Sequence, residues 1–155
     1  MAASLLMLVS PALAQDSALP GSSESSWGLR VGLATNPDQV VVGANFLETE
    51  IANNVFLEPN AELGFGDDVV MLTGTVPFHY RFVVDAKVRP YAGGGVLLGV
   101  ARVDRGNEDD TEFEISLRAT GGILWSLKGG QEMFAELGLI FGDLHDVQVM
   151  VGWRF

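Results

Sequence analysis

The sequence predicts an all-β fold, a single up-and-down barrel of eight antiparallel strands. Three observations predict it. From Trp27 onward apolar residues alternate with polar or glycine residues, the period-two pattern of a strand with two unlike faces. Clusters of turn formers, such as Asn36-Pro37-Asp38 and Lys128-Gly129-Gly130, cut that pattern into eight runs. The chain is 48% hydrophobic, yet no stretch approaches the run of about 18 apolar residues that a membrane-spanning helix needs, and nineteen glycines oppose long helices.

The runs follow in order. The first, from Trp27 to Thr35, places Trp27, Leu29, Val31 and Leu33 on one face. The second, Gln39 to Leu47, shows Val40, Val42, Ala44 and Phe46, and "ETEIANN" then connects to the third, Val55 to Phe65. The fourth, Val69 to Phe82, aligns Val70, Leu72, Val76, Phe78, Tyr80 and Phe82. The fifth, Pro90 to Val103, carries "PYAGGGVLLGV", in which both faces are apolar or glycine, so its orientation stays open. The sixth, Glu112 to Leu127, sets Phe113, Ile115, Leu117, Ala119, Ile123 and Trp125 against Glu112, Glu114, Ser116, Arg118 and Thr120. The seventh is Gln131 to Phe141, and the eighth ends the chain as "VQVMVGWRF". With 155 residues there is room for one domain, here 27–155, and no internal repeat is visible.

Residues 1–14 read as a secretory signal peptide, with an apolar stretch from Leu5 to Val9 and a small-x-small site at Ala12-Leu13-Ala14, but without a basic residue before Arg30. Residues 15–26, rich in serine, read as a flexible leader. A formal charge of −11 argues against nucleic acid as a partner, and the absence of cysteine removes disulfide and thiolate chemistry.

Alternation alone does not say which face is inside, since a soluble lipocalin-like barrel and a membrane barrel are inverses of one another. Three features turn the apolar face outward. Strand glycines Gly28, Gly32, Gly43, Gly64, Gly122, Gly138 and Gly152 share the polar face, where a narrow interior needs small residues. That face carries Arg30, Arg81, Arg118 and Arg154 with Glu58, Glu62, Glu114, Glu132 and Glu136, whereas the only lysines, Lys87 and Lys128, fall in turns; arginine suits enclosed carboxylate pairing. Finally, Trp27, Phe46, Tyr80, Phe82, Tyr91, Trp125, Trp153 and Phe155 collect at one level as an aromatic girdle, with Phe65, Phe113 and Phe141 at the opposite rim. The expectation is therefore an eight-stranded antiparallel transmembrane β-barrel with a polar interior.

The terminal alternation ending in Trp153 and Phe155 resembles the C-terminal signature of bacterial outer-membrane barrels, and "VRPYAGGGVLLGV" resembles the fifth-strand segment of OmpA/OmpX-type barrel domains. "NPDQ", "PNAELGFGDDV" and "FAELGLIFGD" together resemble small outer-membrane barrel proteins of unassigned role. The resemblance implies an outer-membrane location, contact with membrane lipid and lipopolysaccharide, and recognition of Trp153 and Phe155 by the barrel-assembly machinery.

Eight strands leave a lumen that side chains fill. The interior set Arg30, Glu58, Glu62, His79, Arg81, Glu114, Arg118, Glu132, Glu136 and Arg154 is accordingly read as a plug of paired charges, each needing a partner once shut away from water. Lipid-modifying catalysis would require a lipid-facing nucleophile beside a base; Ser116 and His79 point inward and His145 sits in a loop, so no such pair can be built and no enzyme is expected. The far loops are acidic. Asp104, Asp109 and Asp110 are the best candidates for weak divalent-cation binding that bridges to lipopolysaccharide phosphates, although solvated loops with no cofactor are the simpler reading. The sequence thus favours a monomeric, non-enzymatic envelope protein of structural or adhesion type, ahead of a narrow porin-like channel or ligand-transport barrel and ahead of a soluble lipocalin-like carrier.

Overall fold

The computed structural model describes residues 27–67, 69–84, 87–104, 109–142 and 146–155, with the side chains of 103, 104, 109 and 110 left out. The readings of 1–14 as a signal peptide and 15–26 as a leader lie outside the described residues, as do the side chains of Asp104, Asp109 and Asp110.

Ten strands form one sheet: β1 (Gly28–Thr35), β2 (Gln39–Asn45), β3 (Thr49–Ala52), β4 (Val55–Leu57), β5 (Asn60–Gly66), β6 (Val69–Arg81), β7 (Val88–Asp104), β8 (Asp109–Ser126), β9 (Glu132–Phe141) and β10 (Val147–Arg154). Every pairing is antiparallel; the ring runs β1-β2-β5-β6-β7-β8-β9-β10 and closes where β1 pairs with β10, while β3 pairs with β4 and β4 with β6. Eight staves result, because β4 and β5 hold one continuous register against β6, from Val55 opposite Tyr80 to Gly66 opposite Val69, interrupted at Glu58-Pro59. Likewise β3 continues β2 beyond a kink at Leu47, whose φ of 47° lies in the left-handed region. The segment "ETEIANN", expected as a plain connection, is thus partly strand. It pairs with β4 and turns at Asn53-Asn54, where Asn54 takes a φ of 61°, which asparagine tolerates well.

Burial fixes the faces. Leu29, Leu33, Val40, Leu72, Val76, Ile115, Leu117, Leu137 and Val149 are exposed on the outer wall, while Arg30, Glu62, His79, Arg118, Glu136 and Arg154 are buried inside. This is the inverse of a soluble carrier, whose apolar face lines the lumen. An apolar belt with a polar interior is stable only in lipid, and closing β1 on β10 leaves no open seam between the staves, with single-sided pairing kept to β3 and the far half of β8. The fold is a transmembrane β-barrel.

Two turn levels define its ends. The terminal end holds Trp27, Phe155, the Asn53-Asn54 turn and the β8–β9 turn, in which Gly129 and Gly130 adopt φ of 88° and 82° and Leu127 donates to the Gln131 carbonyl at 2.7 Å. The far end holds the β1–β2, β5–β6, β7–β8 and β9–β10 connections.

Candidate functional site: the lumen

The open question about the fifth run settles by register. Gly93 lies between His79 and Thr120, and Gly95 between Pro77 and Arg118, so the odd-numbered residues of β7 point inward. Glycine is required there, since a Cβ on Gly95 would fall 2.6 Å from the Pro77 Cα. The same parity corrects the aromatic girdle. Tyr91 is buried in the lumen, where its hydroxyl donates to Glu136 Oε2 at 2.8 Å. A phenol buried in a barrel needs such a partner.

Two ionic clusters fill the middle and the terminal half of the lumen. In the first, Arg30 and Arg118 each meet both Glu62 and Glu136. Arg30 Nε stands 3.0 Å from Glu62 Oε1, and Arg30 Nη2 is 2.6 Å from Glu136 Oε1. Arg118 Nη2 reaches the same Glu136 oxygen at 2.6 Å, and its Nη1 lies 3.4 Å from Glu62 Oε1. The ring of two arginines and two glutamates is neutral and ties β1, β5, β8 and β9 across the barrel. Gln148 completes it by donating to Glu62 Oε2 at 2.8 Å.

The second cluster gathers at the terminal end. Arg154 binds Glu58 and also Glu48 Oε2 at 2.8 Å, with Glu132 Oε2 at 3.8 Å. Glu48 also takes Arg81, and Glu132 takes Arg89. Asn45 donates to Glu58, and His79 Nδ1 lies 3.5 Å from Glu58 Oε2. Phe134, 1% exposed, stands between the clusters, with the Arg30 and Arg154 guanidiniums at 5.5 and 5.4 Å from its ring centre. Arg81 stacks on Phe56 at 3.8 Å.

Of the ten residues expected inside, nine take part in these two clusters; Glu114 is half-buried toward the far end of β8. Sequence reasoning missed Glu48, which sits in the segment read as a connection, and Arg89, which lies just before the fifth run as read from Pro90. It also passed over Asn45 and Phe134, both of which stand at inward parity between outward apolar neighbours, the signal that could have found them.

Toward the far end the lumen turns apolar. Val69, Met71, Leu97, Ala101 and Ile140 pack together, with Ala34, Val41 and Met150 beside them. Between this layer and the ionic ring, no water-sized space remains among Val41, Glu62, Met71, Thr73 and Gln148. Among the described residues no group of three or more histidines and carboxylates is placed to hold a metal ion. His79, the one histidine among the described residues, is buried and inward, as is Ser116, so among those residues no serine and histidine meet on the lipid face.

A filled lumen inside an apolar, closed eight-stranded wall defines the outer-membrane β-barrel class of fold, and solved structures of that class match it. The N-terminal β-barrel domain of Pseudomonas aeruginosa OprF superposes with a TM-score of 0.70 at 13% identity, over 85% of this chain and 98% of that domain. Neisserial surface protein A matches with a TM-score of 0.62 at 15% identity, over 84% and 94%. The outer membrane enzyme PagL matches with a TM-score of 0.53 at 12% identity, over 84% and 98%. At these identities the likeness is one of fold. The sequence matches no protein-family profile and no curated relative.

Proposed function

We propose that this chain is a non-enzymatic protein of the bacterial outer membrane, a monomeric barrel with a structural, envelope-integrity or adhesion-type role. The observation that carries the reading is the filled lumen: a neutral, cross-linked ionic core backed by an apolar layer, with no water-sized space among Val41, Glu62, Met71, Thr73 and Gln148 where the two meet. A barrel plugged this way braces its own wall and presents loops, rather than passing solutes. Because PagL shares the fold and is an enzyme, the fold alone leaves catalysis open; what argues against it is the lack of a lipid-facing serine–histidine pair among the described residues. On this reading the amino-terminal residues direct export, Trp153 and Phe155 are met by the assembly machinery, and the acidic far loops, Asp104, Asp109 and Asp110 included, face lipopolysaccharide.

The test is conductance of the refolded full chain in planar bilayers, run beside fractionation of the cell envelope. Absence of stepwise current together with recovery in the outer membrane is the expected result. Steady unitary currents would instead make the protein a narrow channel, and recovery in a soluble fraction would remove the membrane role.

A further inference from the structure

On the outer wall at the far end, three neighbouring strands shape a groove of about 620 Å³. The ladder registers explain it. Leu33, Val40 and Phe65 stand in one row across β1, β2 and β5, exposed and pointing outward. The next row, Ala34, Gln39 and Gly66, is again in register but turns inward, so it sets the groove back between two outward rows. Beyond it Thr35, Asp38 and Asp67 are exposed and form the opposite lip. One lip is hydrocarbon and faces the lipid belt; the other offers a hydroxyl and two carboxylates at the water boundary.

The lip is acidic. Asp146 lies close by, accepting from Asn36 Nδ2 at 2.6 Å, and no lysine or arginine occurs among the described residues at the far ends of β1, β2, β5 and β10, while Arg102 is exposed on β7 in the same row, two strands on from Phe65. A second groove on the wall, about 440 Å³, is lined by Gly121, Ile123, Ala135, Leu137 and Val149, with Glu136 turned into the lumen, and so lacks an acidic lip. Of the two apolar grooves, only the first carries exposed carboxylates.

We propose that the β1–β2–β5 groove binds a membrane amphiphile with a primary-amine head. The chain would lie against Leu33, Val40 and Phe65 while the ammonium sits between Asp38 and Asp67, a compact cation on paired carboxylates. A phosphate head would meet the carboxylates of Asp38 and Asp67, and an amine without a tail would forgo the apolar lip.

The test uses the full chain, isotope-labelled and refolded in phosphatidylcholine nanodiscs, titrated with dodecylamine. Amide shifts are read at Ala34 and Gly66, with Gly121 and Leu137 in the second groove as reference. Saturable shifts at Ala34 and Gly66 alone are expected, weakened about tenfold by joint Asp38→Asn and Asp67→Asn substitution. Dodecyl phosphate and butylamine should give none. Equal shifts in both grooves would reduce the effect to partitioning and overturn the site, as would an affinity unchanged by the double substitution. Tighter binding of dodecyl phosphate with Ca²⁺ would overturn the amine assignment, and equally tight binding of butylamine would overturn the membrane source. Both aspartates are exposed turn residues, and heat-modifiable gel mobility verifies that the variant is folded.

Discussion

The Arg118 side chain lies across the bare backbone of Gly138. In the ladder Arg118 faces Ile140 and Glu136 faces Gly122, so the pair that meets at 2.6 Å is diagonal, and Arg118 must reach back past Gly138 to form it. A Cβ on Gly138 would stand 3.0 Å from Arg118 Nε and 3.2 Å from Nη2. Valine there should push the guanidinium off Glu136 and overfill the lumen, costing about 1–3 kcal/mol. Valine at Gly121, whose Cβ would meet nothing within 4 Å on the outer wall, should change stability by no more than about 0.5 kcal/mol. Urea titration of the two variants in detergent micelles checks this; equal losses would mean that the lumen glycines are not there to admit arginine.

Glu136 is the acceptor on which the central ring depends. Its Oε1 takes both Arg30 and Arg118, and its Oε2 takes Tyr91. Glu136→Gln keeps the shape but leaves two buried guanidiniums sharing one carboxylate, that of Glu62. Breaking a buried ion pair by removing one partner costs about 3–5 kcal/mol, and a loss of that order is expected from denaturant midpoints. Adding Arg118→Met to Glu136→Gln restores one cation to one anion and should recover part of the loss. If the double variant is less stable than the single by a full additive increment, the two residues are not coupled and the ring carries no shared energy.

Leu117 tests the outer wall. It is 61% exposed, on β8, one ladder step above Ala119. In lipid an arginine near mid-height on such a face costs roughly 2–4 kcal/mol, and the cost falls toward the rim. Leu117→Arg should therefore destabilise the barrel refolded in vesicles, while Phe113→Arg, nearer the far rim, should cost about 1 kcal/mol or less. Equal and negligible effects at both positions would place this wall in water.

How far this architecture could be read from sequence depends on how unlike the two faces of each strand are. In β6 and β8 the contrast is sharp: Phe78 and Tyr80 against His79 and Arg81, Leu117 against Arg118. Their parity is plain from the letters alone. In β7 the faces are Ala, Gly, Val and Leu on both sides, so period two carries no direction there, and Tyr91 was given to the girdle. Only its partners across the ladder orient that strand, and pairing is a long-range property. The kink at Leu47 was hidden for a related reason, since a left-handed leucine has no sequence mark. With the kink unseen, Glu48 fell in a connection rather than in the ionic cluster that it shares with Arg81 and Arg154. The residue types of the lumen were legible; who pairs with whom was not, because diagonal reaches such as that of Arg118 depend on the register between strands.

The ring closes between the first described strand and the last, and its closing contact sits at the terminal end. Beyond the β1–β10 ladder, which runs from Gly28 opposite Arg154 to Thr35 opposite Val147, the Phe155 amide donates to the Trp27 carbonyl at 2.9 Å and the two rings stack at 4.8 Å. These are seam contacts between residues far apart in sequence, so they are made only once the barrel has closed. Deleting Phe155 removes one backbone hydrogen bond and one aromatic pair, a loss of about 1–3 kcal/mol. Replacing Phe155 with leucine keeps the backbone bond and an apolar side chain while removing the stack, and should cost about 0.5–1.5 kcal/mol. Unfolding rates in vesicles should rise for both variants, more for the deletion. If the deletion slows assembly in cells while the leucine variant assembles at the normal rate, the apolar end and seam bond suffice for closure; if leucine slows assembly as much as deletion does, the aromatic ring itself is what the assembly step reads.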